Sequence, residues 1–153
     1  MGQVFGEYTL SAVRCIVRGY SIGADTGADD SDFLGVVPVS DDVEVVTGAA
    51  GYHVYTDNGD DSHIATFRVL RASPAFRILS DLLQEQFRQR RAGTPISPIN
   101  FRVDDPASGD RISSQHGVFL NRPEMNFNKS VGRAEFRIHL PKPKITYGAN
   151  IRI

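Results

Sequence analysis

The stretch HIATFRVLRASPAFRILSDLLQEQFRQRRAG, residues 63–93, contains the change of hydrophobic period that decides the fold. Its first part, HIATFRVLR, is rich in β-branched and aromatic side chains, which favour a strand. Beyond Ser73, apolar residues recur at helical spacing. These residues are Phe76, Leu79, Leu82, Leu83 and Phe87. The segment therefore predicts a strand followed directly by an amphipathic helix whose apolar stripe packs on a sheet.

The predicted helix has a start signal and a stop signal. Ser73 is a favoured N-cap residue, and Pro74 occupies the first helical position, where its missing N–H costs no hydrogen bond. At the other end, arginines crowd the last turn, where cations interact favourably with the helix dipole, and Gly93 follows. We therefore expect a helix over about residues 74–91, with its basic end in solvent.

The remainder of the chain favours β-structure. RAEFRIHL, residues 133–140, alternates strictly and predicts a half-buried strand with Ala134, Phe136, Ile138 and Leu140 facing inward. AVRCIVRGYSI, residues 12–22, alternates as well and predicts one strand. Further strands are expected at LGVVPV, DDVEVV, YHVYT, INFRV and near GVFLN, with turns at GAAG, DDPASGD and DNGDD, the last of a kind that closes a hairpin. The tail of about residues 141–153 is punctuated by prolines, and its last residues are candidates for one more strand.

Composition limits the class of protein. The 153 residues are 41% hydrophobic and 23% charged, as in a soluble globular protein, and no linker or repeat divides them, so we expect one domain over residues 1–153. No apolar run approaches the roughly 20 residues of a membrane helix, and the N-terminus lacks the form of a secretion signal. The single cysteine, Cys15, excludes an internal disulfide and favours a reducing compartment. Because it alternates with Val13 and Val17, Cys15 is expected to be a small buried side chain.

The net charge of −1 hides an uneven distribution. Residues 1–61 hold 11 acidic and 2 basic side chains, a net charge of −9, whereas residues 62–153 hold 7 acidic and 15 basic ones, a net charge of +8. Two interpretations remain open. Solvated loops are simply acidic early and basic late, or the molecule has two complementary surfaces that suit head-to-tail self-association.

The acidic segment DTGADDSD, residues 25–32, begins with the Asp-Thr-Gly-Ala spelling of the catalytic loop in retroviral-type aspartic proteases. A protease dyad needs two carboxylates that share a proton in a shielded site. Here the half-polar SIGA precedes the motif, four aspartates crowd it, and the second Gly-Arg-Asn/Asp segment that braces such a loop is missing. We therefore interpret Asp25 as a residue of a solvated loop and expect no catalysis there.

No other constellation of residues indicates an enzyme, a cofactor or a metal. The four histidines are dispersed, and DNGDD lacks the spacing and the closing Glu of a calcium loop. Phosphate loops, dinucleotide fingerprints and nucleophile elbows are absent from the sequence. We therefore expect a non-enzymatic protein without a cofactor or a metal site.

The order of these elements resembles that of the tail tube proteins of contractile-tailed bacteriophages, over roughly residues 10–150. The strongest part is HIATFRVLRASPAFRILSDLL, which is similar to the family's Thr-bearing strand, Ser-Pro cap and helix with paired leucines. GAAGYHVYTDNGDDS resembles the family's glycine turn and hairpin, and GVFLNRPEMNFNKSVGRAEFRIHL resembles its late strand, Pro-containing loop and closing strand. The chain departs from the family at Phe136, where Trp is frequent, and in the greater length of the acidic segment.

The resemblance implies a mainly β (α+β) fold, a β-sandwich or partial barrel with one flanking helix, in a structural virion protein. Six copies would form a ring whose inner strands join into a continuous β-barrel, and stacked rings would form the inner tail tube through which DNA is ejected without specific binding. Tail sheath, tape measure, baseplate and tail-terminator proteins would be its partners, in a virion tail assembled in the host bacterial cytoplasm. The alternatives are a tube ring protein of a bacterial secretion or contractile-injection system, or a monomeric β-sandwich binding module.

In a protein that stacks rings, the acidic segment has an assignable role, since loops of this length in compact domains are usually functional or disordered. We expect its aspartates to meet the basic helix end of the next ring. The predicted inter-ring residues are Asp25, Asp29, Asp30 and Asp32 on one side and Arg88, Arg90 and Arg91 on the other. The simple alternative is a solvated surface loop.

Overall fold

The computed structural model describes residues 13–23, 33–106, 108–124 and 132–148. Over these ranges the chain is mainly β with one long helix, which confirms the predicted fold class. The helix, α1, spans Pro74–Ala92. The strands are β1 (Arg14–Val17), β2 (Tyr20–Ile22), β3 (Leu34–Pro38), β4 (Val43–Thr47), β5 (His53–Asp57), β6 (His63–Leu70), β7 (Ile99–Asp104), β8 (Arg111–Phe119), β9 (Arg133–Leu140) and β10 (Lys144–Thr146).

Most of the strands belong to one antiparallel sheet, in the order β2-β1-β7-β8-β9-β6-β3. The long strand β8 joins the two halves of this sheet, because its residues 111–117 pair with β7 and its last two, Val118 and Phe119, pair with β9. β10 pairs with β8 from within the predicted tail, whose residues 149–153 lie outside the described part of the chain. Among the described strands, β4 and β5 pair only with each other and form a separate hairpin.

The sheet curves onto itself instead of lying flat. β8 and β9 separate β7 from β6 in the sheet order, so a flat sheet would hold β7 and β6 about 14 Å apart. Instead, Phe101 of β7 and Phe67 of β6 make an edge-to-face contact, with ring centroids 5.7 Å apart. The two halves therefore face each other across the core as a partial barrel. The largest fully buried side chains of the described residues include Phe67, Phe101, Phe136, Ile22, Leu79, Ile99, Ile138 and Leu140.

β9 confirms the half-buried strand that its alternation predicts. The four residues expected to face inward are all buried, with Phe136 opposite Phe67 of the neighbouring strand β6. On the outer face, Glu135 and Arg68 form an ion pair, with 3.8 Å between Oε2 and Nε. Burial of the inner face stabilises the fold by about 25 cal/mol for each Å² of apolar surface removed from water.

The helix begins at the predicted Pro74 and ends at Ala92, one residue beyond the predicted end. The Ser73 hydroxyl accepts a hydrogen bond from the Phe76 N–H at 3.2 Å, and Gly93 ends the helix in the left-handed conformation, with a φ of 72°. Its inner face buries Ala75, Leu79 and Leu82. The other members of the apolar stripe are only half-buried, because the sheet does not cover the full width of the stripe. They are Phe76, Leu83 and Phe87.

Two predicted strand boundaries are wrong. Residues 12–22 do not form one strand, because Arg18 and Gly19 adopt positive φ values of 47° and 81° and reverse the chain between β1 and β2. Strand β8 begins at Arg111, well before the predicted GVFLN. Residues 113–116, SSQH, are all polar, so this part of the strand lacks the alternation of apolar and polar residues that predicts a strand.

The prediction that DNGDD closes a hairpin is also wrong. DNGDD connects β5 to β6, which lie in different sheets, and therefore cannot close a hairpin. The β4–β5 hairpin is closed by GAAG, where the Gly48 N–H donates a hydrogen bond to the Tyr52 carbonyl at 2.7 Å. Asn58 instead ties the base of this hairpin. Its N–H donates to the Asp42 carbonyl at 2.8 Å, and its side-chain amide donates to the Ser40 hydroxyl at 2.9 Å.

Candidate interaction surfaces

The β4–β5 hairpin is exposed along its whole length. Every residue of both strands is exposed, and Tyr55 retains 71% of its accessible surface. The exposed large apolar side chains of the hairpin are Val43, Val45, Val46, Tyr52, Val54 and Tyr55. A two-stranded hairpin alone is marginally stable in water, and a contiguous exposed apolar patch marks an interaction site. The other described residues leave this hairpin uncovered.

The register of the hairpin divides its side chains between two faces. Directly opposed residues share a face, so Val45 and Tyr55 lie on one face and Val46 and Val54 lie on the other. We call the first one the Tyr55 face. It also carries the pair of Val43 and Asp57, and the pair of Thr47 and His53, whose side chains are hydrogen-bonded at 3.1 Å.

The hairpin and its base are acidic. Residues 41–61 contain six carboxylates and no Lys or Arg. These are Asp41, Asp42, Glu44, Asp57, Asp60 and Asp61. None of the six forms an ion pair with a basic side chain in the described part of the chain. Hydrogen bonds from Ser62 lower the pKa of the Asp60 carboxyl below its ordinary value, so that this group stays charged.

A groove of about 620 Å³ lies between α1 and residues 119–123, the end of β8 and the segment that follows it. We call it the helix groove. Its apolar lining consists of Phe76, Leu83, Phe87, Phe119, Leu120 and Pro123. Gln86 fixes the distance between its two walls, because its side-chain amide donates to the Phe119 carbonyl at 3.0 Å and accepts from the Phe119 N–H at 2.9 Å. The half-buried flank of α1 thus becomes the wall of a groove.

Three arginines gather around one ring of the helix groove. The guanidinium carbon lies 4.6 Å from the Phe87 centroid for Arg122 and 5.2 Å for Arg90 and Arg91. Each such contact stabilises an exposed cation by about 0.5–1 kcal/mol. The three guanidinium groups form no ion pair with a described carboxylate, so their mutual repulsion favours an anionic partner.

The structure brings together only part of the predicted inter-ring set. Arg90, which lines the helix groove, and Arg91, which lies outside its lining, both contact the Phe87 ring, whereas Arg88 is exposed and outside the lining as well. The four aspartates of the acidic segment lie outside the described residues. Arg122 was missed, since it lies in an irregular segment after β8 whose sequence has no periodicity to connect it with the helix.

The sheet has open edges in the described part of the chain. β3 and β2 stand at the two ends of the strand order, and β3 pairs only with β6. The free side of β3 presents backbone N–H and C=O groups that another strand can bind. Pro38 stands at the end of β3 and removes one donor from that edge.

The described residues give no sign of a metal site or a reactive thiol. No group of three His, Cys, Asp or Glu side chains in those ranges is placed to hold a metal ion. Cys15 is completely buried, and burial raises the pKa of its thiol, which disfavours the reactive thiolate. Cys15 is thus the packing residue that the sequence predicts. In the part of the chain that is described, no helix is long and apolar enough to span a membrane.

No protein-family model matches the sequence, and no curated protein is significantly similar to it. Solved structures nevertheless share its fold. A chain from the sheath/tube terminator of an extracellular contractile injection system, PVC, in its extended state superposes with a TM-score of 0.55 at 12% identity, covering 92% of this chain and 96% of that one. A chain of the PVC sheath–tube complex in the extended state gives the same TM-score and identity, with 92% of each chain covered.

A third solved structure is the tube-terminating cap of the anti-feeding prophage. It superposes with a TM-score of 0.50 at 8% identity, covering 96% of this chain and 97% of the cap chain. At such low identities the likeness establishes the fold, which is tail-tube-like and extends over nearly the whole length of both chains.

Proposed function

We propose that this chain, acting as one domain over residues 1–153, is a structural, non-catalytic subunit that assembles with copies of itself into the tube of a contractile tail or injection system. The observation that carries the proposal is the β4–β5 hairpin, whose apolar side chains have no cover within the described chain. Self-assembly would bury the hairpin against a neighbouring copy. The fold supports the proposal, because the solved structures that share it come from sheath–tube and tube-terminating assemblies.

Rings are the expected form of this assembly, with six copies as in the tail tube proteins that the sequence resembles. The open edge of β3 would pair with a strand of the next copy and continue the sheet around the ring. Closing a ring removes the open edges that otherwise invite aggregation. An interface that also repeats along the ring axis stacks the rings into a tube.

The partners of such a tube follow from its position. A sheath would surround it, tape measure and baseplate proteins would contact its interior and its end, and a terminator would close it. In a bacteriophage tail the lumen would conduct DNA, whereas a secretion or injection system would use the same tube for other cargo. The neighbouring genes separate these cases, since capsid and tape-measure genes indicate a phage and secretion genes indicate the alternative.

A tube-terminating ring is the second candidate function, because two of the solved structures with this fold are described as a terminator and a cap. The two functions predict different assemblies of the purified chain. A tube subunit has complementary surfaces on both ring faces and extends to long tubes, whereas a terminator stops at single rings.

Electron microscopy of the purified chain at high protein concentration tests the proposal. Stacked six-membered rings are the expected result, and isolated rings would favour the terminator. A monomer at every concentration and salt condition would contradict the proposal and would leave the monomeric β-sandwich binding module as the better interpretation.

A further inference from the structure

The helix groove and the β4–β5 hairpin have complementary properties within the same chain. The groove combines an apolar lining with Arg90 and Arg122, and Arg91 lies beside it over the same Phe87 ring; none of the three forms an ion pair with a described carboxylate. The hairpin combines exposed valines and tyrosines with six carboxylates in residues 41–61, where Lys and Arg are absent. Each surface therefore supplies the charge that the other lacks, together with apolar side chains that match its own.

We infer that the Tyr55 face of one copy docks in the helix groove of a second copy. This inference rests on the proposed self-assembly and names the surfaces that carry it. Tyr55 packs against the groove lining, where its ring is favourable beside the arginine guanidinium groups. Val43 and Val45 cover the remaining apolar lining, and Asp57 forms charge-assisted hydrogen bonds with the arginines at the rim.

The two surfaces also match in length. The helix groove follows α1 from Phe76 to Arg90, a rise of about 21 Å at the helical repeat. Each strand of the hairpin has five residues and spans about 17 Å. The two paired strands, laid along the helix, therefore fit within the length of the groove.

The hairpin suits the helix groove better than the acidic segment does. Residues 25–32, DTGADDSD, have the required charge, but Ala28 is their only apolar side chain apart from the threonine methyl group. That segment would neutralise the arginines and leave the apolar lining in water. The hairpin satisfies both requirements, and because it joins two different surfaces of identical chains, the contact repeats from copy to copy.

Charge reversal tests the pairing. The groove variant is Arg90→Glu with Arg122→Glu, and the hairpin variant is Asp57→Lys with Asp41→Lys. Each variant alone should raise the protein concentration needed for assembly by more than about tenfold, because like charges then face each other. A mixture of the two variants should assemble again, since every hairpin then has a groove of opposite charge. The control Arg14→Glu with Arg77→Glu, at two exposed sites outside the groove, should assemble like the wild type.

Cross-linking separates this inference from the proposed function. A photo-reactive phenylalanine analogue at position 55 of the full chain should cross-link to residues 83–90 or 119–123, and isotope-labelled mixtures should show that the link joins two chains. Wild-type assembly with cross-links elsewhere, or without rescue in the mixture, would overturn the inference and leave the self-assembling tube intact. A wild type that neither assembles nor cross-links between copies would overturn both. Cross-links from position 55 to added sheath protein, and not to a groove, would assign the hairpin to that partner and would also overturn the inference.

Discussion

Strand β9 and the β4–β5 hairpin both carry several apolar side chains, but those of β9 are buried and those of the hairpin are exposed. Ala134, Phe136 and Ile138 of β9 are at most 2% exposed, whereas Val45 and Val46 of β4 are more than 50% exposed. The difference is in the order of the residues. β9 alternates strictly and needs one covered face, but the adjacent valines of β4 put apolar side chains on both faces.

A strand that is apolar on both faces is suited to burial on both faces, and the described chain covers neither. The comparison therefore separates two kinds of stabilising surface. The β9 face is satisfied within the chain and determines whether the monomer folds. In the proposed assembly, the hairpin is covered by another copy and determines whether copies associate.

The largest stability loss is expected for Phe136→Ala. The Phe136 ring is fully buried and contacts Phe76 and Phe119, with centroids 5.8 Å and 6.1 Å away. Its removal should lower the free energy of unfolding by about 3–5 kcal/mol in urea denaturation of dilute monomer. The matched hairpin change Tyr55→Ala should cost less than about 0.5 kcal/mol. Equal losses at the two sites would remove the distinction between the regions.

The next effect concerns Gln86, which joins α1 to the end of β8. Gln86→Leu leaves the Phe119 N–H and carbonyl without their side-chain partner, which should cost about 1–3 kcal/mol of unfolding free energy. Gln84→Leu, at an exposed position two residues away, is the control and should change the stability by less than about 0.5 kcal/mol. Similar losses in both variants would show that the Gln86 hydrogen bonds do not hold the groove wall.

A substitution on the second face of the hairpin sharpens the contrast between folding and association. Val46→Ser with Val54→Ser should leave the unfolding free energy of the dilute monomer within about 0.5 kcal/mol of the wild type, because both side chains are exposed there. The same variant should assemble poorly in sedimentation at high concentration, because assembly would bury this face. Normal assembly would restrict the interface to the Tyr55 face.

The smallest effect is expected from the acidic segment. We propose that Asp25, Asp29, Asp30 and Asp32 meet basic residues of the next ring, for which Arg88, Arg90 and Arg91 are the sequence-based candidates. Where the hairpin occupies the helix groove, Arg88 is the candidate left to this segment, since it lies outside the groove lining and is not one of the three arginines around Phe87. Replacing the four aspartates with asparagine should shorten the tubes at low salt, and the wild type should approach the same length as salt rises, because exposed pairs contribute only about 0.2–1 kcal/mol each. Equal tube lengths at all salt concentrations would identify the segment as a solvated loop.

Local sequence patterns predicted much of this fold, but they could not predict contacts between residues that are far apart in sequence. The change of period, the Ser73 cap and Gly93 located α1, and the alternation in β9 identified its buried face. The turn at Arg18 was missed because its positive φ occurs in a residue that rarely adopts it. The helix groove was missed because it depends on Arg122 lying beside Phe87, 35 residues away in sequence.

Hydrogen exchange of the wild type, compared between dilute monomer and concentrated assembly, tests the central claim most directly. The account predicts that amides of residues 43–57 exchange rapidly in the monomer and become protected in the assembly, while amides of β6 and β9 are protected in both states. A hairpin that exchanges equally fast in the assembled and the monomeric protein would contradict the claim that another copy covers it.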